Sequence, residues 1–263
     1  MADWNADAYH RISAPQQAWG RRVLQGMSWR GDETVLDAGC GTGHLTRLVA
    51  ERIPRGRIVA LDGSMNMARV ARDQLAPDFR ERLLVIQAHL LHVPLRDAVD
   101  IVFSTATFHW VLDHERLFRE LHTALRPGGR LIAQCGGAAN LTRLHAHAEA
   151  LMHEPSFAAY FRDWTESWLF ADADTTAARL RGAGFVDVET SLEEAPTPFE
   201  SAAAFREFVT NVVCRPHLAR LPDQPLRERF MDAIVDRSQR SAAPLVLDYW
   251  RLNMRARRPN RPG

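Results

Sequence analysis

The chain has 263 residues, enough to bury one large core or one core with an inserted cap. Its 33 basic and 32 acidic residues leave a net charge of +1, which excludes the basic field that a broad nucleic-acid footprint needs. All the basic residues are arginine, which removes Schiff-base and phosphate-loop lysines. The three scattered cysteines (Cys40, Cys135, Cys214) form no disulfide framework and point to a reducing cytoplasm.

In chain order, residues 1–32 read as an amphipathic helical lid, starting near Ser13 and Pro15 and carrying Trp19, Val23 and Met27 at four-residue steps. Strand and helix then alternate. Val35–Asp37 is a strand, Leu45–Ile53 a helix, Ile58–Asp62 a strand, and Met65–Leu75 a helix capped by Ser64. Leu83–Gln87 and Val99–Ser104 have the near-continuous apolar character of strands buried on both faces. Glu115–Leu125 is a helix stopped by Arg126-Pro127-Gly128-Gly129, and Arg130–Cys135 is the next strand. This alternation over residues 33–137 predicts an α/β fold with a doubly wound, mostly parallel sheet.

Beyond Gly137 the pattern turns helical. Helices are predicted over Leu141–Met152, Ser156–Trp168 and Thr175–Ala183, a strand over Phe185–Thr190, more helix over 199–240, and a closing strand over Leu245–Arg255. The segments 138–168 and 199–240 read as helical cap insertions over the sheet's ligand edge, within one domain spanning 1–263. The arginine- and proline-rich tail from residue 257 reads as disordered. No apolar stretch reaches membrane-spanning length and no signal peptide opens the chain, so neither a membrane nor a nucleic acid is expected as a partner. A monomer or a homodimer is equally compatible with the sequence.

The most informative segment is Leu36-Asp37-Ala38-Gly39-Cys40-Gly41-Thr42-Gly43, set between a strand and a helix. Glycines at alternate positions let backbone lie against a small molecule. A dinucleotide fingerprint needs glycine at the first, third and sixth positions, and the sixth here is His44, so the loop reads as a cofactor loop and not a phosphate cradle. Asp37 is placed to anchor the loop or an ammonium group. After the second strand come Asp62, Gly63 and Met65. The Asp62 carboxylate can accept from both hydroxyls of a ribose, and Met65 can pack on an adenine face. Ala88 and His89 follow the third strand, and Ser104 ends the fourth, which runs into Phe108-His109-Trp110-Val111. His89, His92, His109 and His114 lack the cysteine or paired carboxylate that would complete a metal site, and none is expected.

The loop with its preceding acid resembles motif I of the class I S-adenosylmethionine-dependent methyltransferases. That resemblance implies a seven-stranded Rossmann-like sheet, S-adenosyl-L-methionine as cofactor, and a cofactor site over Asp37, Gly39, Cys40, Gly41, Gly43, Asp62, Gly63, Met65, Ala88, His89 and Ser104. Where these enzymes usually carry an aspartate that accepts from the adenine amino group, this chain has His89, whose imidazole acceptor nitrogen would take that role. The Asn/Asp-Pro-Pro-aromatic motif of amide and base N-methylating enzymes is absent. Phe108-His109-Trp110-Val111 instead resembles the juvenile-hormone-acid and trans-aconitate methyltransferases, and Trp4-Asn5 and Leu247-Asp248-Tyr249 resemble the trans-aconitate type. Tyr9, Ser13 and Gln16 stand at the spacing of a Tyr-Asn-Gln series in the first group. Carried over, Gln16 and Trp110 grip a substrate carboxylate beside Tyr9, with His109 orienting the acceptor. The implied reaction is methyl transfer to the carboxylate of a small organic acid. The competing readings are O- or C-methylation of a phenolic or neutral metabolite with His109 as base, and a non-catalytic cofactor-binding regulator.

Overall fold

Strict alternation along the central strands sends their side chains to two separate cores. The computed structural model describes residues 14–261. Strand β1 (Thr34–Ala38) directs Leu36 and Ala38 to one face of the sheet and Val35 to the other. The first face packs Val102, Leu131 and Met254 against Leu117, Phe118 and Leu121 of helix α4 (His114–Ala124). The second packs Ile58, Ala60 and Phe103 against Leu24 of α1 (Ala14–Gln25), Val49 of α2 (His44–Arg52), and Ala71 and Leu75 of α3 (Met65–Phe79). Each fully buried leucine, valine or phenylalanine contributes roughly 1.5–3 kcal/mol, and cores on both faces make the sheet doubly wound.

The sheet has seven strands in the order β3-β2-β1-β4-β5-β9-β6, where β2 is Arg57–Asp62, β3 Leu83–Gln87, β4 Val99–Thr105, β5 Leu125–Gly136, β6 Val186–Glu194 and β9 Trp250–Arg257. The pairs β1/β2, β1/β4, β2/β3 and β4/β5 are parallel, and β9 runs antiparallel to β5. The order reverses direction at β1, so the loops after β1 and β4 open a crevice at the carboxyl edge, where sheets of this type take their ligands. Ser64 caps α3 by accepting from Met67 N–H at 3.2 Å, and Asp113 caps α4 by accepting from Arg116 N–H at 2.8 Å.

The chain divides into two compact units. Among the described residues, one holds those up to Ala138, Trp168–Glu193 and those from Arg251, and so contains the sheet and α6 (Ala173–Gly182). The other holds Ala139–Ser167 and Glu194–Trp250. It contains α5 (Thr142–Met152), α7 (Ala202–Phe208), α8 (Arg215–Arg220), α9 (Gln224–Gln239), and a two-stranded ribbon of β7 (Thr197–Pro198) and β8 (Val246–Leu247). Aromatic packing fills its interior: Phe161 lies 6.0 Å from Phe230, and Trp164 stacks on His217 at 4.6 Å.

Several expectations are corrected. Ser156–Trp168 is not a helix. After one short 3-10 turn (Ala158–Tyr160) it runs irregularly, its Phe157 and Phe161 buried on Phe230, so tertiary packing overrides the helical pattern. The stretch 199–240 is broken by a π-helical turn (Val209–Val213), by Pro216 at the start of α8, and by the Asp223 cap with Pro225 at the start of α9. The closing strand is two pieces that serve different sheets, β8 and β9. Strand β3 is an edge strand with Leu84 exposed, not buried on both faces. The tail through Arg261 is tied down rather than loose: Gly128 N–H donates to Arg258 O at 3.0 Å, and the Arg258 guanidinium binds the Asp97 carboxylate at 2.6 Å and the carbonyl of His122 at 3.0 Å. Trp4, Asn5, Tyr9 and Ser13 lie outside the described residues.

Candidate active site

The glycine loop turns at the carboxyl end of β1, held by Gly39 and Cys40 N–H donating to Leu61 O at 2.8 and 3.0 Å. Its three glycines have different duties. A Cβ on Gly39 would lie 2.3 Å from Thr107 Oγ1, and one on Gly43 would lie 2.9 Å from Leu75, so these two serve close packing within the protein. At Gly41 (φ +55°) a Cβ would meet nothing within 4 Å, and this residue opens onto the cleft. Gln16, Gln17, Asp37, Gly39, Cys40, Gly41, Thr42, His44, Leu45, Thr105 and Ala106 line that cleft.

Two carboxylates flank the loop. Asp62 accepts from Gly41 N–H through Oδ2 and from Ser64 N–H through Oδ1, both at 2.9 Å, which fixes its plane. Asp37 is 3% exposed and accepts from Thr46 Oγ1–H at 2.6 Å. Burial pushes its carboxyl up to about 7, against the lowering effect of the Thr46 hydroxyl and with help from the negative charge of Asp62. The negative potential of the two acids repels phosphate and favours a cation. Gln16, on α1, has its Oε1 buried with no hydrogen-bond partner among the described residues. An open glycine, a buried acid and an orphaned amide acceptor fit the cationic amino-acid portion of S-adenosylmethionine, with Asp62 left to a ribose.

Along the carboxyl edge, Gly63 leaves open space before Ala88 O at 3.9 Å, and Met65 is exposed on the first turn of α3. His89 lies two residues beyond β3, but its Nδ1 accepts from Leu91 N–H at 3.1 Å. The acceptor expected for the adenine amino group is therefore already taken, and that expectation is corrected. Ser104 is also corrected: it is 1% exposed and its hydroxyl donates to Ala38 O at 2.6 Å, joining β4 to β1 instead of facing the cleft. Thr105 and Ala106 take its place. Ala106 adopts φ +55°, left-handed for a residue with a Cβ, with its N–H donating to Gln134 O at 2.8 Å. Nothing in the sequence Thr-Ala-Thr marks that turn. Cys40 faces the cleft as an inert thiol, since burial and the charges of Asp37 and Asp62 drive its pKa up.

His109 and Trp110 sit in a 3-10 turn after β4, held by His114 Nε2–H donating to Phe108 O at 3.0 Å. Trp110 does not line the glycine-loop cleft. It belongs to an aromatic group with His109 (5.2 Å), Trp168 (6.3 Å) and, through His109, Phe170 (5.7 Å). Gly136 N–H donates to His109 Nδ1 at 3.3 Å, which leaves the proton on Nε2. Desolvation, followed by the charges of Arg251 and His114, brings the ring's pKa down to about 3, so it stays neutral at working pH. Arg251 was not singled out from the sequence, since it is one of three arginines in the closing strand and nothing there marks it as the buried one. It is 3% exposed, opposite Gly136 in the β5/β9 register, with its guanidinium 4.5 Å over the Trp19 ring. Among the described residues no three His, Cys, Asp or Glu side chains gather as a metal site, and no helix is long and apolar enough to cross a membrane.

A seven-stranded sheet with a glycine loop and paired acids at its crevice is the architecture of a Rossmann-like methyltransferase, and the family model described as a methyltransferase domain matches residues 36–133. The chain belongs to the S-adenosylmethionine-dependent methyltransferase family and is an enzyme of that class. It is 30% identical to trans-aconitate 2-methyltransferase of Afipia carboxidovorans over 94% of this chain and 93% of the relative. It is 33% identical to malonyl-[acyl-carrier protein] O-methyltransferase of Geobacter sulfurreducens over 78% and 79%. Among solved structures, phosphoethanolamine N-methyltransferase 2 of Haemonchus contortus, in complex with S-adenosyl-L-methionine, superposes with a TM-score of 0.62 at 19% identity. It covers 97% of this chain, which spans 57% of that one.

Proposed function

We propose that the chain transfers the methyl group to a carboxylate of a small organic acid, forming a methyl ester. The observation that carries this reading is His109, a neutral ring whose Nδ1 lone pair is already bonded to Gly136 N–H. A residue in that state donates from Nε2 and does not remove a proton, which disfavours a phenol or alcohol acceptor. A carboxylic acid, with a pKa of roughly 4, arrives already ionised and needs no base. The buried Arg251 guanidinium adds a positive field beside His109 that suits an anionic acceptor. Both curated relatives are named for acceptors that carry a free acid group.

S-adenosylmethionine supplies an already activated methyl on its sulfonium. The chain's task is then to bind, align and exclude water, and alignment contributes on the order of 7–11 kcal/mol. Asp37, Gln16 and the Gly39–Gly41 backbone hold the cofactor's amino-acid portion, and Asp62 its ribose hydroxyls. Met65 covers one face of the base, and Gly63, Ala88 and His89 its edge. Trp110 Nε1–H and the Gln16 amide donate to the acceptor carboxylate, and His109 Nε2–H orients the reacting oxygen.

The test is a pH profile of kcat with an active acid. Wild type is expected to stay flat from pH 6 to pH 9, His109→Gln to keep most of its rate because it retains a donor, and His109→Ala to lose tenfold or more. A kcat that climbs with pH in wild type and vanishes in both variants would return His109 to the role of base.

A further inference from the structure

Going along the carboxyl edge from β1 to β2 to β3, the sheet order places Gly41 just beyond β1, Asp62 at the end of β2 and His89 just beyond β3. Gly41 and Asp62 are joined by a hydrogen bond, and Asp62 and β3 by Ala88 N–H donating to Asp62 O at 3.0 Å. A cofactor with its amino-acid end at Gly41 and its ribose at Asp62 brings its base to His89. This placement rests on the cofactor reading given above.

The geometry at His89 is unusually well defined for a strand-end side chain. Its carbonyl accepts from His92 N–H at 2.8 Å and its Nδ1 accepts from Leu91 N–H at 3.1 Å, so backbone and ring are both clamped in one tight turn. With Nδ1 serving as acceptor, the ring proton resides on Nε2. Desolvation and the neighbouring His92 and Arg116 lower the ring's pKa and so favour its neutral form. Arg116 itself lies against His92, 2.9 Å from its Nδ1. The only polar atom His89 offers to a ligand is a neutral N–H.

We infer that this enzyme reads its cofactor's purine at position 89 with a hydrogen-bond donor, directed at an acceptor on the base edge, and not with an acceptor for the exocyclic amino group. Adenine presents N1 to such a donor. A purine carrying oxygen at the 6-position has hydrogen on N1 and presents O6 to it instead, on the neighbouring atom of the same edge. The site therefore does not require the amino group, and 6-oxo cofactor analogues are accepted. An acidic side chain at position 89 reverses this: its oxygens bond the amino group and face O6 with like polarity, leaving buried groups unmatched.

The experiment compares binding of S-adenosyl-L-homocysteine with its 6-oxo counterpart, S-inosyl-L-homocysteine, by titration calorimetry on the full chain. Wild type is expected to bind the two within about threefold of each other. His89→Asp should keep the adenine compound and lose the 6-oxo compound by tenfold or more. His89→Ala, which removes the donor and adds no acceptor, should bind both more weakly in equal proportion, and its retained binding reports that the chain folds. Wild-type rejection of the 6-oxo compound by more than tenfold, or an unchanged ratio in His89→Asp, would overturn the inference. If neither compound bound wild type, the cofactor placement itself would fall, and the inference with it.

Discussion

Asp37 couples the charge of the cofactor to pH. Its carboxyl stands at about 7 in the folded chain, against roughly 4 when unfolded. Between those values the folded state holds the extra proton, so this group favours folding most below pH 4, and that advantage is lost as pH rises through 7. Cofactor-free Asp37→Asn is therefore expected to melt higher than wild type at pH 8, with the difference shrinking by pH 5, as thermal unfolding would show. An ammonium beside Asp37 favours its ionised form, so wild-type cofactor affinity should fall as pH drops below 7. Asp37→Asn should bind more weakly and lose that dependence. A wild-type affinity independent of pH between 5.5 and 8 would separate Asp37 from the ammonium. At Gly41 the open space facing a Cβ gives a different prediction. Gly41→Ala should cost only about 1–2 kcal/mol of stability from its left-handed backbone, yet weaken cofactor binding tenfold or more. Binding unchanged in that variant would mean that the cleft is not where the cofactor lies.

The elements that support the site were legible where periodicity was strong. β1, β2, β4 and α2–α4 follow from apolar spacing, from the Ser64 cap and from the glycine loop, because local signals and burial agree there. They failed where tertiary packing decided the conformation. The segment after α5 carries helical spacing but is pulled into turns by Phe157 and Phe161, and the closing strand is divided between two sheets. Ser104 shows how a strand-end position misleads. As the last residue of the predicted strand it stood at the ligand edge, but β4 runs one residue further and the Ser104 hydroxyl donates to the Ala38 carbonyl. Ser104→Ala is therefore expected to destabilise the chain by about 1 kcal/mol in denaturant titration, through the lost β1–β4 bond, while leaving cofactor affinity unchanged. Affinity lost in step with Gly41→Ala would place Ser104 in the cleft after all.

For the whole molecule, a ligand that binds only the folded state stabilises it by mass action. S-adenosylmethionine at a hundredfold excess over its dissociation constant should add about 2.7 kcal/mol to unfolding. The donor side of the reaction rests on the fold, the paired acids and the family. The acceptor side rests on His109 as a donor and on the proposed Trp110 and Gln16 clamp, and that is the claim to test first. The most direct measurement supplies methyl-labelled cofactor with a panel of mono-, di- and tricarboxylic acids and phenols, and asks how the label leaves the product. A carboxyl ester releases labelled methanol under mild base, and this account predicts base-labile label on carboxylic acids and none on phenols. Label that survives base, as an ether or a carbon-bound methyl, would contradict it.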